Sequence, residues 1–66
     1  MSEPQEHILQ FFAYEHLPEA LHQVSFPFYD LAHSIVERVP RNPERTVALR
    51  KLLEAKDAAV RAAIAK

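Results

Sequence analysis

The chain has 66 residues, no cysteine and no glycine, and its formal net charge is −1. A domain of this size buries little apolar surface, and the lack of cysteine excludes disulfides and thiolate metal sites, so self-association is the expected source of further stability. The lack of glycine excludes the turns that β-hairpins prefer and the glycine loops that bind phosphate, so we predict one all-α domain over residues 1–66.

No apolar run in the sequence approaches the about 20 residues that a membrane span requires. The first seven residues, MSEPQEH, are acidic and lack the basic start of a secretory signal. We therefore expect no membrane partner and no export.

Charge is divided along the chain. Residues 1–37 contain six acidic residues and no lysine or arginine, whereas residues 38–66 contain all eight basic residues and three acidic ones. Either the two parts pair with each other, within a hairpin or between subunits, or the basic surface binds an anion, and the sequence leaves both alternatives open.

The first predicted element is a short helix at residues 5–13, QEHILQFFA. Ile8, Phe11 and Phe12 are three and four positions apart and would share one face. Two longer helices follow, and a pair of helices leaves flanks uncovered. We therefore expect the early rings of Phe11, Phe12 and Tyr14 to pack partly against another copy of the chain.

The second predicted element is a helix at residues 18–39, with Pro18 in its first turn. Pro27 interrupts it, so the helix either kinks there or restarts with Ser25 as its cap. Apolar residues keep helical spacing across the interruption, which favours the kink. They predict a core-facing stripe of Leu21, Val24, Phe28, Leu31, Ile35 and Val39.

The third predicted element is a long helix at residues 43–66, without proline or glycine after its first turn. Asn42 is a favourable N-cap and Pro43 a favourable first residue. The short link before it makes the second and third helices an antiparallel hairpin. The predicted inner face consists of Arg45, Ala48, Leu49, Leu52, Ala55, Ala59 and Ala63.

The sequence contains no pattern typical of a catalytic or metal site. The four histidines include no pair at i, i+4, and the carboxylates of the third helix lie among basic residues with which they would form surface ion pairs. We predict no enzyme, no metal and no cofactor. Duplex binding is disfavoured by the acidic total charge. Tyr14 and Tyr29 would either stack on a base or lie buried in a subunit interface.

Three stretches resemble a known family. Residues 44–55, ERTVALRKLLEA, and the ending AAIAK resemble the C-terminal helix of the phage anti-CBASS cyclic-oligonucleotide sponges, whose helical hairpin is shared with the anti-Thoeris sponges. Residues 12–18, FAYEHLP, resemble the N-terminal F-x-Y-H-x-P of that family. Residues 31–36, LAHSIV, resemble its middle helix.

The resemblance implies a homo-oligomer of helical hairpins, often a hexamer, in the cytoplasm of a bacterial host. It implies that cyclic di- or trinucleotides, or a cyclic ADP-ribose isomer, are held between protomers without cleavage. The host's immune effector would then be deprived of its second messenger. The alternative is a small helical interaction or regulatory protein that binds no nucleotide.

The candidate ligand-binding set combines the resemblance with charge and position. The resemblance places Tyr14 on a base and Lys66, at the family's terminal arginine, on a phosphate. Tyr29 stands where the family commonly has lysine and would stack instead. The full set is Phe12, Tyr14, Glu15, Tyr29, Arg45, Arg61 and Lys66, of which Arg45 and Arg61 are chosen on charge and position alone.

Overall fold

A computed structural model describes residues 7–65, which contain helices and no strand. The all-α prediction is therefore confirmed for this part of the chain. Two short 3₁₀ helices, His7–Phe12 and Glu19–Leu21, precede two longer helices, α1 (His22–Arg38) and α2 (Pro43–Ile64). No helix in this range is both long and apolar enough to cross a bilayer.

The first helix is a 3₁₀ helix, His7–Phe12, shorter and tighter than the predicted helix at 5–13. Leu9 and Phe12 are one 3₁₀ turn apart and are buried together with Ile8. Phe11, which the sequence predicted on the same face, is 48% exposed. Phe11 therefore does not join the buried face, and the change of helix type does not explain this, because Ile8 and Phe11 are also one 3₁₀ turn apart.

Helix α1 runs through Pro27 without a break, which excludes a restart at Ser25. Pro27 has no backbone N–H to donate to the carbonyl of Gln23, and Gln23 lies on the exposed side of the helix. The buried side is centred on the small residues Ser25 and Ala32. Of the predicted stripe, Phe28 and Ile35 pack against the core, whereas Leu31 and Val39 are 49% and 39% exposed.

A four-residue link folds α2 back along α1, as the sequence predicted. Asn42 caps α2, because its Oδ1 accepts the backbone N–H of Arg45 at 2.9 Å. The Arg45 side chain is buried, and its Nη1 donates to the carbonyls of Val36 (3.1 Å) and Val39 (3.0 Å). These carbonyls lie at the C-terminal end of α1, which a cation stabilises. Arg45 thus joins the C-terminal end of α1 to the N-terminal end of α2.

The core lies where the first 3₁₀ helix packs between α1 and α2. Leu49 and Leu53 from α2 meet the buried residues of the 3₁₀ helix and Ala32. The inward side of α2 runs through Arg45, Leu49, Leu53 and Lys56. The predicted inner face was correct for Arg45, Leu49 and Leu52, which are buried or pack against the core, and wrong for the exposed residues Ala48, Ala55 and Ala63.

Phe12 has no exposed surface and lies inside the core of its own chain. The expectation that a second copy covers the early rings is therefore wrong for Phe12. It stays a prediction for Phe11, which leaves about half of its surface uncovered.

Candidate ligand site

Five rings form an aromatic cluster on one side of α1. His22, Phe26, Tyr29 and His33 are spaced by four, three and four residues, so they follow one another along the helix. Tyr14, from the segment between the two 3₁₀ helices, packs its ring across them. These five residues make up the aromatic cluster.

Tyr14 is the centre of the aromatic cluster. Its ring centroid lies 5.3 Å from Phe26, 5.3 Å from Tyr29 and 5.5 Å from His22, each in an edge-on arrangement. Edge-on pairs at these distances are favourable because the positive ring edge meets a negative ring face. Tyr14 and Tyr29, predicted separately from the sequence, therefore belong to one surface.

The outer side of the aromatic cluster is open. Phe26 is 44% exposed, and its ring lies nearly parallel to that of Tyr29 at a centroid distance of 6.2 Å. His33 continues the row, 4.3 Å from Tyr29. A row of partly exposed rings offers flat apolar faces on which a base can stack.

Two hydrogen bonds shape the connector, residues 13–17, that carries Tyr14. The backbone N–H of Leu17 donates to the Tyr14 carbonyl at 3.0 Å and closes a turn. His22 Nε2 donates to the Leu17 carbonyl at 2.9 Å, which requires the proton on that ring nitrogen. Glu15, a predicted site residue, is exposed, with its Oε1 3.4 Å from the backbone nitrogen of Tyr14.

Lys56 fastens the start of the connector to α2. Its side chain is only 7% exposed, and its Nζ donates to the carbonyls of Phe11 at 2.6 Å and Ala13 at 3.5 Å. Sequence reasoning missed this residue. The signal was present, because Lys56 lies seven residues after Leu49 and therefore on the same side of an α-helix.

A concavity of about 230 Å³ lies between the connector and α2. It is lined by apolar, basic and acidic side chains: Leu17, Lys56, Asp57, Val60 and Arg61. Arg61, a predicted ligand-binding residue, therefore shares this concavity with Leu17 of the connector, whose carbonyl accepts the bond from His22 of the aromatic cluster.

Two other predicted site residues, Phe12 and Arg45, lie away from this region. Phe12 is enclosed in the core. Arg45 lies at the hairpin link, sixteen residues before Arg61, which corresponds to about 24 Å along an α-helix. The two arginines cannot reach one small ligand within a single chain. Lys66 falls outside the described residues.

Within residues 7–65, no group of three or more His, Cys, Asp or Glu side chains is placed to hold a metal ion. Comparison of the chain with known protein families, with curated proteins and with solved structures finds no match.

Proposed function

We propose that this protein is a phage anti-defence sponge that binds cyclic nucleotide second messengers between its protomers and does not cleave them. The observation that carries the proposal is the joining of Tyr14 and Tyr29 with Phe26 in one partly exposed aromatic cluster. Stacking on such rings favours bases of any sequence. The host assignment and the identity of the messenger rest on the sequence resemblance.

The phosphate side of the ligand is assigned to the concavity. Arg61 lines it together with Lys56, and both belong to the basic half of the chain. Guanidinium and ammonium groups form the strong, charge-assisted hydrogen bonds that phosphate oxygens accept. A nucleotide that crosses the connector would place its base on the aromatic cluster and its phosphate near Arg61.

A second protomer completes the proposed site. The concavity, at about 230 Å³, is below the roughly 300–1,000 Å³ of most ligand pockets. Large apolar side chains stay exposed beside it and elsewhere on the hairpin: Phe11, Phe26, Leu31, Val39, Val47 and Ile64. Burying these on a neighbouring copy stabilises the assembly and closes the open side of the aromatic cluster.

Calorimetry tests the proposal with a panel of cyclic dinucleotides, cyclic trinucleotides and cyclic ADP-ribose isomers. We expect at least one of them to bind at micromolar concentration or below, and to be recovered unchanged after denaturation of the complex. No heat from any member of the panel, at protein concentrations where the oligomer is intact, would overturn the proposal.

Matched variants separate ligand contacts from packing. Arg61→Ala should weaken binding, whereas Arg50→Ala, an equally exposed arginine on the same helix, should leave it unchanged. Phe26→Ala removes an exposed ring of the aromatic cluster and should weaken binding by about 1–3 kcal/mol, the contribution of one stacked base. Light scattering on each variant shows whether the oligomer is retained.

The second candidate is an interaction protein without a nucleotide ligand, and the exposure of Phe26 and Leu31 favours it. Both side chains lie on α1, about 140° apart around its axis, and each offers an apolar contact to a protein partner. A stable oligomer that gives no heat with the whole panel would support this alternative.

A further inference from the structure

Lys56 is the only lysine among the buried residues of the described chain, and its ammonium is committed to backbone. Of the two carbonyls that accept from it, that of Phe11 lies in the last turn of the first 3₁₀ helix, and that of Ala13 comes directly after the helix. Carbonyls at a helix C-terminus have no partner inside the helix, and the partial negative charge there attracts a cation. A buried ammonium at this point replaces its lost hydration with those carbonyls.

The Ala13 carbonyl has a direct relation to the ligand surface. The Ala13 carbonyl and the Tyr14 nitrogen belong to the same planar peptide group. A hydrogen bond that holds this oxygen therefore also holds the backbone to which the Tyr14 side chain is attached. The far end of the connector is fixed by the bond from His22 to the Leu17 carbonyl. Lys56 therefore connects the start of the connector to α2 by hydrogen bonds, and His22 connects its end to α1.

We propose that Lys56 is the positioning residue of the nucleotide site, setting the place of the Tyr14 ring on α1 through the carbonyls of Phe11 and Ala13. The same side chain lines the concavity with Arg61, so the phosphate side and the base side of the site are connected through one ammonium. An ammonium has three N–H donors, of which the backbone takes two, and the third serves the anion. The ligand part of this inference rests on the proposed function.

The test compares the unmodified protein with Lys56→Met, which keeps an unbranched apolar stem and removes the ammonium. In solution NMR we expect the Tyr14 ring signals to move away from the positions imposed by the neighbouring rings. The Leu17 amide, which bonds to the Tyr14 carbonyl, should exchange faster with solvent. The best ligand of the nucleotide panel should bind about tenfold more weakly, the factor carried by one charge-assisted hydrogen bond.

Two further variants serve as controls. Lys51→Met removes a largely exposed ammonium from the same helix and should change neither the Tyr14 signals nor the affinity. Lys56→Arg keeps a cation and its donors and should restore part of both. A merely structural lysine would lower the melting temperature of Lys56→Met and leave the Tyr14 signals in place, and that result would overturn the inference.

The outcomes remain distinct from those of the proposed function. If no nucleotide binds the unmodified protein but Tyr14 moves in Lys56→Met, the sponge is refuted and the positioning role is supported. If Lys56→Met does not fold, the positioning role is tested on the unmodified protein instead. Nuclear Overhauser contacts between the Lys56 ε-methylene and the α-protons of Phe11 and Ala13 support the role, and their absence overturns it.

Discussion

The guanidinium of Arg45 and the carbonyl of Val39 lie 3.0 Å apart, joining the start of α2 to the end of α1. The backbone of the same arginine is held by the Asn42 cap. Arg45 is thus fixed at both its main chain and its side chain, and the hairpin link is held by polar bonds. No glycine is present in this link.

Arg45→Met should lower the free energy of unfolding by ~1.5–3 kcal/mol, the range for hydrogen bonds from a charged group, because two carbonyls lose their donor. Arg50→Met, on the exposed side of α2, should stay within about 0.5 kcal/mol of the unmodified protein. Urea unfolding at several protein concentrations measures both. Equal stability of the two variants would show that Arg45 does not hold the link.

Asn42→Ala should cost about 1 kcal/mol, because the Arg45 N–H loses the side-chain acceptor that begins α2. Asn42→Ser offers an oxygen at the same position and should recover most of this loss. Thermal unfolding followed by circular dichroism compares the three proteins. A serine variant as unstable as the alanine variant would argue against capping as the cause.

Ser25→Ala should be neutral or stabilising by up to about 1 kcal/mol. The hydroxyl is fully buried, and its oxygen has no hydrogen-bond partner among the described residues, so the native state bears the cost of removing it from water. Ser25→Val, which adds volume at the same buried position, should be destabilising instead. A clear loss of stability in the alanine variant would reveal a partner for the hydroxyl.

Phe12→Ala and Phe11→Ala should behave differently although the residues are neighbours. Phe12 is enclosed in the core of its own chain, so its truncation should cost about 3–5 kcal/mol. Phe11 is half exposed, and under the proposed assembly its truncation should lower the oligomer mass at micromolar concentration while the helical content persists. Light scattering and circular dichroism separate the two effects. A stable Phe12→Ala protein would place that ring outside the core.

The prolines and the asparagine at the helix boundaries made the order of the helices predictable. Pro18 precedes the 3₁₀ turn that leads into α1, and Asn42 with Pro43 starts α2 at the predicted residue. These signals are local, because each depends on one side chain and on the backbone beside it. The hairpin followed from the short link between them.

The orientation of each helix about its axis was less predictable. Apolar spacing placed Leu31 inward, yet the buried positions of α1 are Ser25 and Ala32. Hydrophobicity alone does not reveal where a crossing segment needs small side chains. The seven-residue spacing from Leu49 places Lys56 on the buried side of α2, but its carbonyl partners, 45 and 43 residues away in sequence, are evident only from the fold.

The candidate site was predictable by residue type and not by arrangement. Both tyrosines were chosen from the sequence, and the structure brings their rings together. The contributions of Phe26 and His33 depend on the position of Tyr29 along α1, which became evident only from the fold. Arg45 was selected for its charge, but that charge is directed to the end of α1.

The methyl side chain of Ala32 has a consequence for the outer surface of the molecule. Because Ala32 is fully buried against the first 3₁₀ helix, its small volume decides how deeply that helix sits in the groove of the hairpin. The depth of that helix in turn determines where the connector that carries Tyr14 begins. The contour of the aromatic cluster on the surface therefore depends on a single methyl group in the interior.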